Sequence, residues 1–424
     1  MKKVLSLVLV LAMCFSFAAA IGCGSGKDND GGNGGKDDFL VGAIYINGQN
    51  DTAGYTYAHH KGITKAMEEL GMDKSQLKIV DNVQENDAEV MKAIDTLVSQ
   101  GCKMIIGISF GYLNAKQEAA EKTQYKDIIF SHATGYLSND TNFNNYFGRI
   151  YQARYLAGIA AGMKTLETKN NNIGYVTAWG TEYAETCSGI NAFTMGAQAV
   201  NPEAKVFVNQ ISTWGDEAKE RQAALNLIET YNCGVIGQHC DSAQPQIAAQ
   251  EKGVFGCGYN SDMAEQAKDA HLTAPIWNWD VYYKLAIETA KNSPSEFMSK
   301  VGIYYGGLKE GFVDISPLTE NCAEGTKNVI NEVREMIVKG EWDVFTNVKL
   351  SIAADGTITK TEEALKDNKG GEVISADGNT YSVYVHNKET KEDVLTAVEG
   401  GKSAQDGVIK GSMNYYVAGV EAVN

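Results

Sequence analysis

The sequence predicts an α/β protein built from two lobes of the same plan, which face each other across a ligand cleft. Three observations carry this. Residues 41–62 run from a short apolar strand, 41–46, through a small polar loop into a helix that starts near Thr56. Along that helix Ala58, Ile63, Ala66, Met67 and Leu70 recur at helical spacing, and Gly71 follows the last turn. Residues 172–189 then repeat the layout: a strand, a polar loop with Trp179 and acids, and a helix. Finally, the order after each copy is the same. Helices at 87–100 and 216–231 lead into strands at 104–107 and 234–237. Each strand is followed by a loop and helix, 109–122 and 239–252, and by a further strand, 128–131 and 254–257. Open α/β sheets bind ligands at the carboxyl ends of their strands, so the loops of both lobes should line the cleft.

Residues 1–22 read as a signal segment: Lys2 and Lys3 form a basic start, and an apolar run extends from Val4 to Ala20. The ending Ala20-Ile21-Gly22-Cys23 resembles a bacterial lipoprotein signal, with Cys23 as the acylated residue. Residues 23–38 read as a tether, since after Cys23 they hold only Gly, Asp, Asn, Ser and Lys and nothing to bury. The first lobe is expected over 39–150, completed by about 275–320. The second is expected over 151–274, completed by about 321–350. Residues 275–291 read as a crossing back to the first lobe followed by a helix, and 329–339 as an amphipathic helix ended by Gly340. Residues 351–424 read as a peripheral, polar C-terminal extension.

The formal net charge of −16 argues against nucleic acid or an anionic membrane surface as a partner. Beyond Cys14 and Cys23, six cysteines remain: Cys102, Cys187, Cys233, Cys240, Cys257 and Cys322. None forms a C-x-x-C pair, which argues against zinc; mostly free, structural thiols are expected, with disulfides between some of them as the alternative.

Seven loops should line the cleft: 47–57, 109–114, 132–145, 177–187, 212–218, 239–246 and 258–266. None contains Lys or Arg. A phosphate or a free carboxylate would be met by a basic group, so a neutral or cationic ligand is expected. Four tryptophans, Trp179, Trp214, Trp277 and Trp279, lie in or beside these loops or the crossing. Aromatic faces with carboxylates in reach suit a flat heterocycle with N–H donors. Tyr55 and Trp179, one from each lobe, are the expected stacking pair, with Asp51 and Asp262 at the ligand's edge. Asn47, Tyr112, Asp241 and Asn260 are the second choices. His59 and His60 read as helix residues. No nucleophile elbow, Walker loop or paired-His motif is present, so catalysis is not expected, and neither is a cofactor or metal.

Several runs together resemble the basic membrane lipoprotein (BMP) family, the substrate-binding lipoproteins of ATP-driven importers. They are Asp51 to Gly62, Ile108 to Tyr112, Tyr155 to Gly162, Asn191 to Pro202, Gly258 to Asp262 and Gly411 to Val420. His60 stands where that family usually has Asp, and Asn260 where it has the first Asp of a Gly-x-Asp-x-Asp loop. The resemblance implies the type I periplasmic-binding-protein fold, two Rossmann-like lobes joined by a hinge. It also implies a purine nucleobase or nucleoside as ligand, with a slight lean to the base. Implied too are an ABC permease and its ATPase as partners, a lipid anchor on the extracytoplasmic face of the bacterial membrane, and a monomer. A receptor for a sugar or a cationic small molecule, a nucleoside hydrolase, and a signalling lipoprotein remain as alternatives.

Overall fold

The computed structural model describes residues 39–51, 54–401, 406 and 411–423. The expected signal segment, Cys23 and the tether lie outside the described residues. In chain order the first lobe holds β1 (Leu40–Tyr45), α1 (Gly54–Glu69), β2 (Leu77–Val80), α2 (Asp87–Ser99), β3 (Cys102–Ile108), α3 (Leu113–Glu121), β4 (Ile129–Ala133) and β5 (Phe143–Gly148). The second holds α4 (Ile150–Thr168), β6 (Asn172–Thr177), α5 (Ala184–Val200), β7 (Lys205–Gln210), α6 (Glu217–Tyr231), β8 (Val235–His239), α7 (Gln244–Glu251), β9 (Phe255–Cys257) and β10 (His271–Thr273). The chain then returns through β11 (Pro275–Trp277), α8 (Trp279–Asn292), α9 (Phe297–Lys300), β12 (Tyr304–Gly306), β13 (Val313–Ile315) and α10 (Thr326–Lys339).

Each lobe is a six-stranded sheet in which every pairing is parallel. The first has the order β12-β5-β4-β3-β1-β2. Helices cover both faces of such a sheet, so its strands are apolar throughout rather than alternating: Val41 to Tyr45 and Met104 to Ile108 are all buried. The helices between them are set by local chemistry. Asn86 caps α2 by accepting a hydrogen bond from the Glu89 N–H at 3.0 Å, with Asp87 and Glu89 in the first turn, and Gly101 at φ +90° turns the chain into β3.

The second sheet has the order β10-β9-β8-β6-β7-β20, where β20 is the chain's last strand, found after three hairpins. These are β14 (Val348–Ile352) with β15 (Ile358–Glu362), β16 (Leu365–Lys366) with β17 (Glu372–Ile374), and β18 (Ser382–His386) with β19 (Asp393–Ala397). β20 (Val420–Val423) then pairs with β7. The C-terminal region is therefore not merely peripheral. It supplies the outer strand of the second sheet, beyond β7, where the first sheet ends at β2, the counterpart of β7, and it anchors on α5. There the Asn191 amide donates to the Tyr415 carbonyl at 2.8 Å and accepts from the Val417 N–H at 3.0 Å.

The chain passes between the lobes at 148–150, again through β11, and a third time after β13, where the Thr319 N–H donates to Leu272 O at 3.1 Å. α4 begins at the first passage and packs along α5 without room for side chains between them. A Cβ on Gly158 would lie 2.1 Å from Phe193 O, and one on Gly196 would lie 2.1 Å from Tyr155 O. Gly196→Ala should therefore push the helices apart and destabilise the protein by about 1–3 kcal/mol, the usual cost of overpacking. A thermal melt matching the wild type would show that the helices separate freely. The six cysteines named above are free, all but Cys322 fully buried.

Candidate ligand-binding site

Residues 52–53 are not described, and α1 starts after them at Gly54, whose φ of +83° favours glycine. A Cβ on Gly54 would meet Asp241 of the second lobe, 3.7 Å from its carbonyl oxygen and 3.9 Å from its Cβ, so the lobes are in close approach here. At the second residue of α1, the Tyr55 ring meets His59 edge-on at 4.4 Å and Trp279 at 6.5 Å. His59 stacks on Trp279 at 3.9 Å, and Trp279 on Trp277 at 4.6 Å. The Trp277 indole donates to the Tyr259 hydroxyl at 3.3 Å. An aromatic column thus runs from α1, over the crossing, to the loop after β9.

The second lobe's wall is polar and buried. Glu185, in the first turn of α5, holds Oε2 at 3.1 Å from His239 Nε2 at the end of β8. Arg154 from α4 lies 4.1 Å over the Tyr259 ring and donates to the Tyr175 hydroxyl at 2.6 Å and to Gln238 O at 3.0 Å. It passes α5 at Gly189, where a Cβ would lie 2.7 Å from Arg154 Cδ. Asn260, at φ +66°, donates to Asp241 Oδ1 at 3.0 Å.

Burial decides most charges here. It lowers His59 well below the usual imidazole value. His239 falls to about 4 through burial and the Arg154 charge, against the opposing pull of Glu185. Burial alone would raise Glu185, but His239 and Arg154 outweigh it and hold its carboxyl below the ordinary range. With His239 neutral at pH 7, Arg154 is the standing counter-charge. Tyr55 is kept protonated by burial, then by the nearby Tyr259, Asp241 and Glu185. Asp241 is pushed up to about 7 by burial and by Glu220, while the Asn260 hydrogen bond pulls the other way.

The Asp241 shift has a defined sign. Its carboxyl binds a proton more readily in the folded protein than in the unfolded chain, so Asp241 costs stability progressively as pH rises from about 4 to about 7. Asp241→Asn should therefore gain in thermal midpoint over the wild type across that window and hold the gain above it. A difference that stays flat from pH 4 to 7 would contradict the assignment.

Buried polar atoms of this network without a hydrogen-bond partner include Tyr55 Oη, His59 Nε2, Trp279 Nε1, Glu185 Oε1, His239 Nδ1, Asn260 Oδ1 and the Nε and Nη2 of Arg154. Such groups also occur elsewhere, as at His132 and His271. In the cleft, however, they come from both lobes and surround stacked rings. A buried polar atom left unsatisfied costs about 1–3 kcal/mol, and a flat solute with donors and acceptors on its rim would relieve several at once.

Of the residues named from sequence, Tyr55, Asp241 and Asn260 come together here. The others do not. Tyr112 is core: it is fully buried in the first lobe and its hydroxyl donates to Val83 O at 2.6 Å. Trp179 meets Tyr183 at 5.5 Å, in place of the expected stack with Tyr55. Asp262 is exposed and accepts from the Ala264 N–H at 3.0 Å within its own turn. Asn47 and Asp51 are exposed on the loop before α1, with the Asp51 N–H donating to Gly48 O at 3.2 Å. Sequence reasoning did not select His59, Arg154, Glu185, His239, Tyr259, Trp277 and Trp279. For Arg154 a signal existed: it is the cation in a stretch of α4, 153–163, otherwise made of small, apolar and aromatic residues, where a charge is retained only for a partner. The cleft loops carry no cation, but this helix brings one.

A 490 Å³ cavity behind the hinge is a weaker candidate. Arg149 there is held by Asp406 through two hydrogen bonds, and Asp343 accepts from Tyr151 and Gln152, so these two charged groups already have partners.

Two parallel sheets, three crossings and an aromatic, polar cleft between them define the type I periplasmic-binding fold. Solved structures with this fold resemble the chain. A solute-binding protein of Conexibacter woesei gives a TM-score of 0.57 at 16% identity, over 72% of this chain and 98% of that one. One of Aeropyrum pernix gives 0.58 at 15% identity, over 74% and 93%. Residues 39–344 match the model of the Bmp family, described as PnrA-like ABC transporter substrate-binding proteins, and the chain belongs to that family. Among its relatives, a purine-binding protein of Brucella abortus is 32% identical over 91% of this chain and 94% of its own length. A putative ABC transporter glucose-binding protein of Haloferax volcanii is 31% identical over 78% and 80%. Proteins of this family are extracytoplasmic, bind small molecules and work with an ABC transporter. Among the described residues no helix is long and apolar enough to cross a membrane.

Proposed function

We propose that this protein captures a neutral purine, as base or nucleoside, and delivers it to the permease and ATPase of an ABC importer while anchored to the membrane through Cys23. The observation that carries the ligand reading is the set of unpartnered polar atoms contributed by both lobes around the Tyr55–His59–Trp279 rings. Stacking holds the heterocycle's faces and hydrogen bonds read its rim. Arg154, the cation of the cleft wall, bonds Tyr175 and Gln238 through Nη1 and lies over the Tyr259 ring, and the Glu185 carboxylate that its charge reaches disfavours a second anion such as a phosphate. The purine-binding relative supports the same class. Mass spectrometry of small molecules released from the purified protein tests this: a purine is expected, and a sugar with no purine would favour the class named for the Haloferax relative.

Anchoring is tested separately. One acyl chain holds a protein only marginally, and lipoprotein cysteines carry at least two. Cys23→Ala should abolish incorporation of labelled fatty acid and leave an unlipidated precursor or soluble protein. Label entering the variant as it enters the wild type would place the anchor elsewhere.

A further inference from the structure

We infer that His59 meets the ligand as a fixed N–H donor, its proton held on Nε2 by a pair of tyrosine hydroxyls behind it, so that the ligand turns an acceptor atom toward the first lobe. This rests on the reading that the ligand lies against the Tyr55, His59 and Trp279 rings, and it holds for any solute bound there. His59 Nδ1 lies 2.5 Å from the Tyr283 hydroxyl, and that hydroxyl lies 2.6 Å from the Tyr146 hydroxyl. His59 comes from α1, Tyr283 from α8 and Tyr146 from β5, and all three residues are fully buried. Burial keeps the imidazole neutral at pH 7, so the ring carries one N–H and one bare nitrogen.

The number of hydrogens decides which nitrogen is protonated. Each hydroxyl brings one hydrogen and the neutral ring brings one, but the chain holds only two hydrogen bonds. One hydrogen must therefore leave the chain at an end. The Tyr146 end is closed. Its ring stacks on Tyr282 at 3.9 Å and meets Trp279 edge-on at 6.0 Å, and among the described residues its hydroxyl bonds Tyr283 alone. A hydrogen stranded there would stay buried without an acceptor, which favours the other arrangement by about tenfold or more. Tyr146 therefore donates to Tyr283, Tyr283 donates to Nδ1, and the free hydrogen emerges on Nε2, which has no protein partner. On the Trp279 ring stacked against His59, the indole N–H is also unpartnered and can only donate. An acceptor on the ligand completes the chain. A donor in its place would face the Nε2 hydrogen or force a hydrogen back to Tyr146.

Nitrogen NMR on the full-length protein with isotope-labelled histidine tests this, with His59→Asn to mark the His59 signals. At pH 7 the wild type should show the Nε2–H tautomer in about tenfold excess or more. Tyr283→Phe removes the hydroxyl that fills Nδ1, so the two tautomers should come within a few-fold of each other. Tyr146→Phe should keep the wild-type tautomer, because Tyr283 then becomes the closed end and still donates to Nδ1. That contrast separates a proton lock from a general loss of packing. Saturating adenine should shift the wild-type Nε2 signal and leave the nitrogen protonated. His59 found charged or as the Nδ1–H tautomer, or a tautomer unmoved by Tyr283→Phe, overturns the inference, as does adenine that binds by calorimetry without shifting Nε2. If adenine does not bind at all, the purine reading loses its support while the tautomer still decides the donor assignment. Should Tyr283→Phe fail to fold, the wild-type tautomer alone decides.

Discussion

Cutting the chain after Asn414 is expected to abolish cooperative folding of the second lobe. The lost segment carries Tyr415, Val417 and Val420, exposed by only 2%, 2% and 5%. Burying a large apolar side chain is worth about 1.5–3 kcal/mol, so three of them approach the whole net stability of a typical domain, about 5–15 kcal/mol. The cut also removes both backbone partners of the buried Asn191 amide and leaves the β7 edge unpaired. The truncated chain should melt broadly and far below the wild type by circular dichroism. A cooperative melt within a few degrees of full length would show that β20 only decorates the sheet.

Tyr55→Ala is expected to cut ligand affinity by about 5–150-fold, the loss that follows from removing a base-stacking ring worth about 1–3 kcal/mol. Tyr55 is the ring that enters the cleft from the first lobe beside the close approach of Gly54 to Asp241, and its hydroxyl is one of the unpartnered atoms. Tyr55→Phe keeps the face and loses only the hydroxyl, so it should fall between wild type and the alanine variant. Tyr55→Phe should hold or raise the melting temperature, because it removes an unpartnered buried hydroxyl, whereas Tyr55→Ala should lower it, because the ring packs on His59 and Trp279. Equal affinity in all three proteins would place the ligand away from this ring.

The two lobes were legible because strand, loop and helix recur in order, and each unit has a local signature: an apolar run, small polar residues, a 3.6-residue period. The pairing of β20 with β7 had no such signature. Val420–Val423 is four residues long and more than two hundred positions from its partner, and nothing local in a short apolar run says which sheet it joins. The site was half legible for a similar reason. Loop position identified Tyr55, Asp241 and Asn260, but it equally suggested Tyr112 and Asp262, and only packing separates a tyrosine bonded to Val83 in the core from one that reaches the cleft. Arg154 and Glu185 sit on helices whose patterns speak of burial, and their partners come from β6, β8 and the loop after β9, brought close by tertiary contact.

Calorimetric titration with adenine, guanine, hypoxanthine, adenosine, inosine, AMP, ribose, glucose and choline tests the central claim most directly. A purine base or nucleoside should bind with a Kd of about 1 μM or tighter, near 8 kcal/mol, while AMP binds weakly or not at all. Tight binding of AMP, ribose, glucose or choline with no response to any base or nucleoside would contradict it.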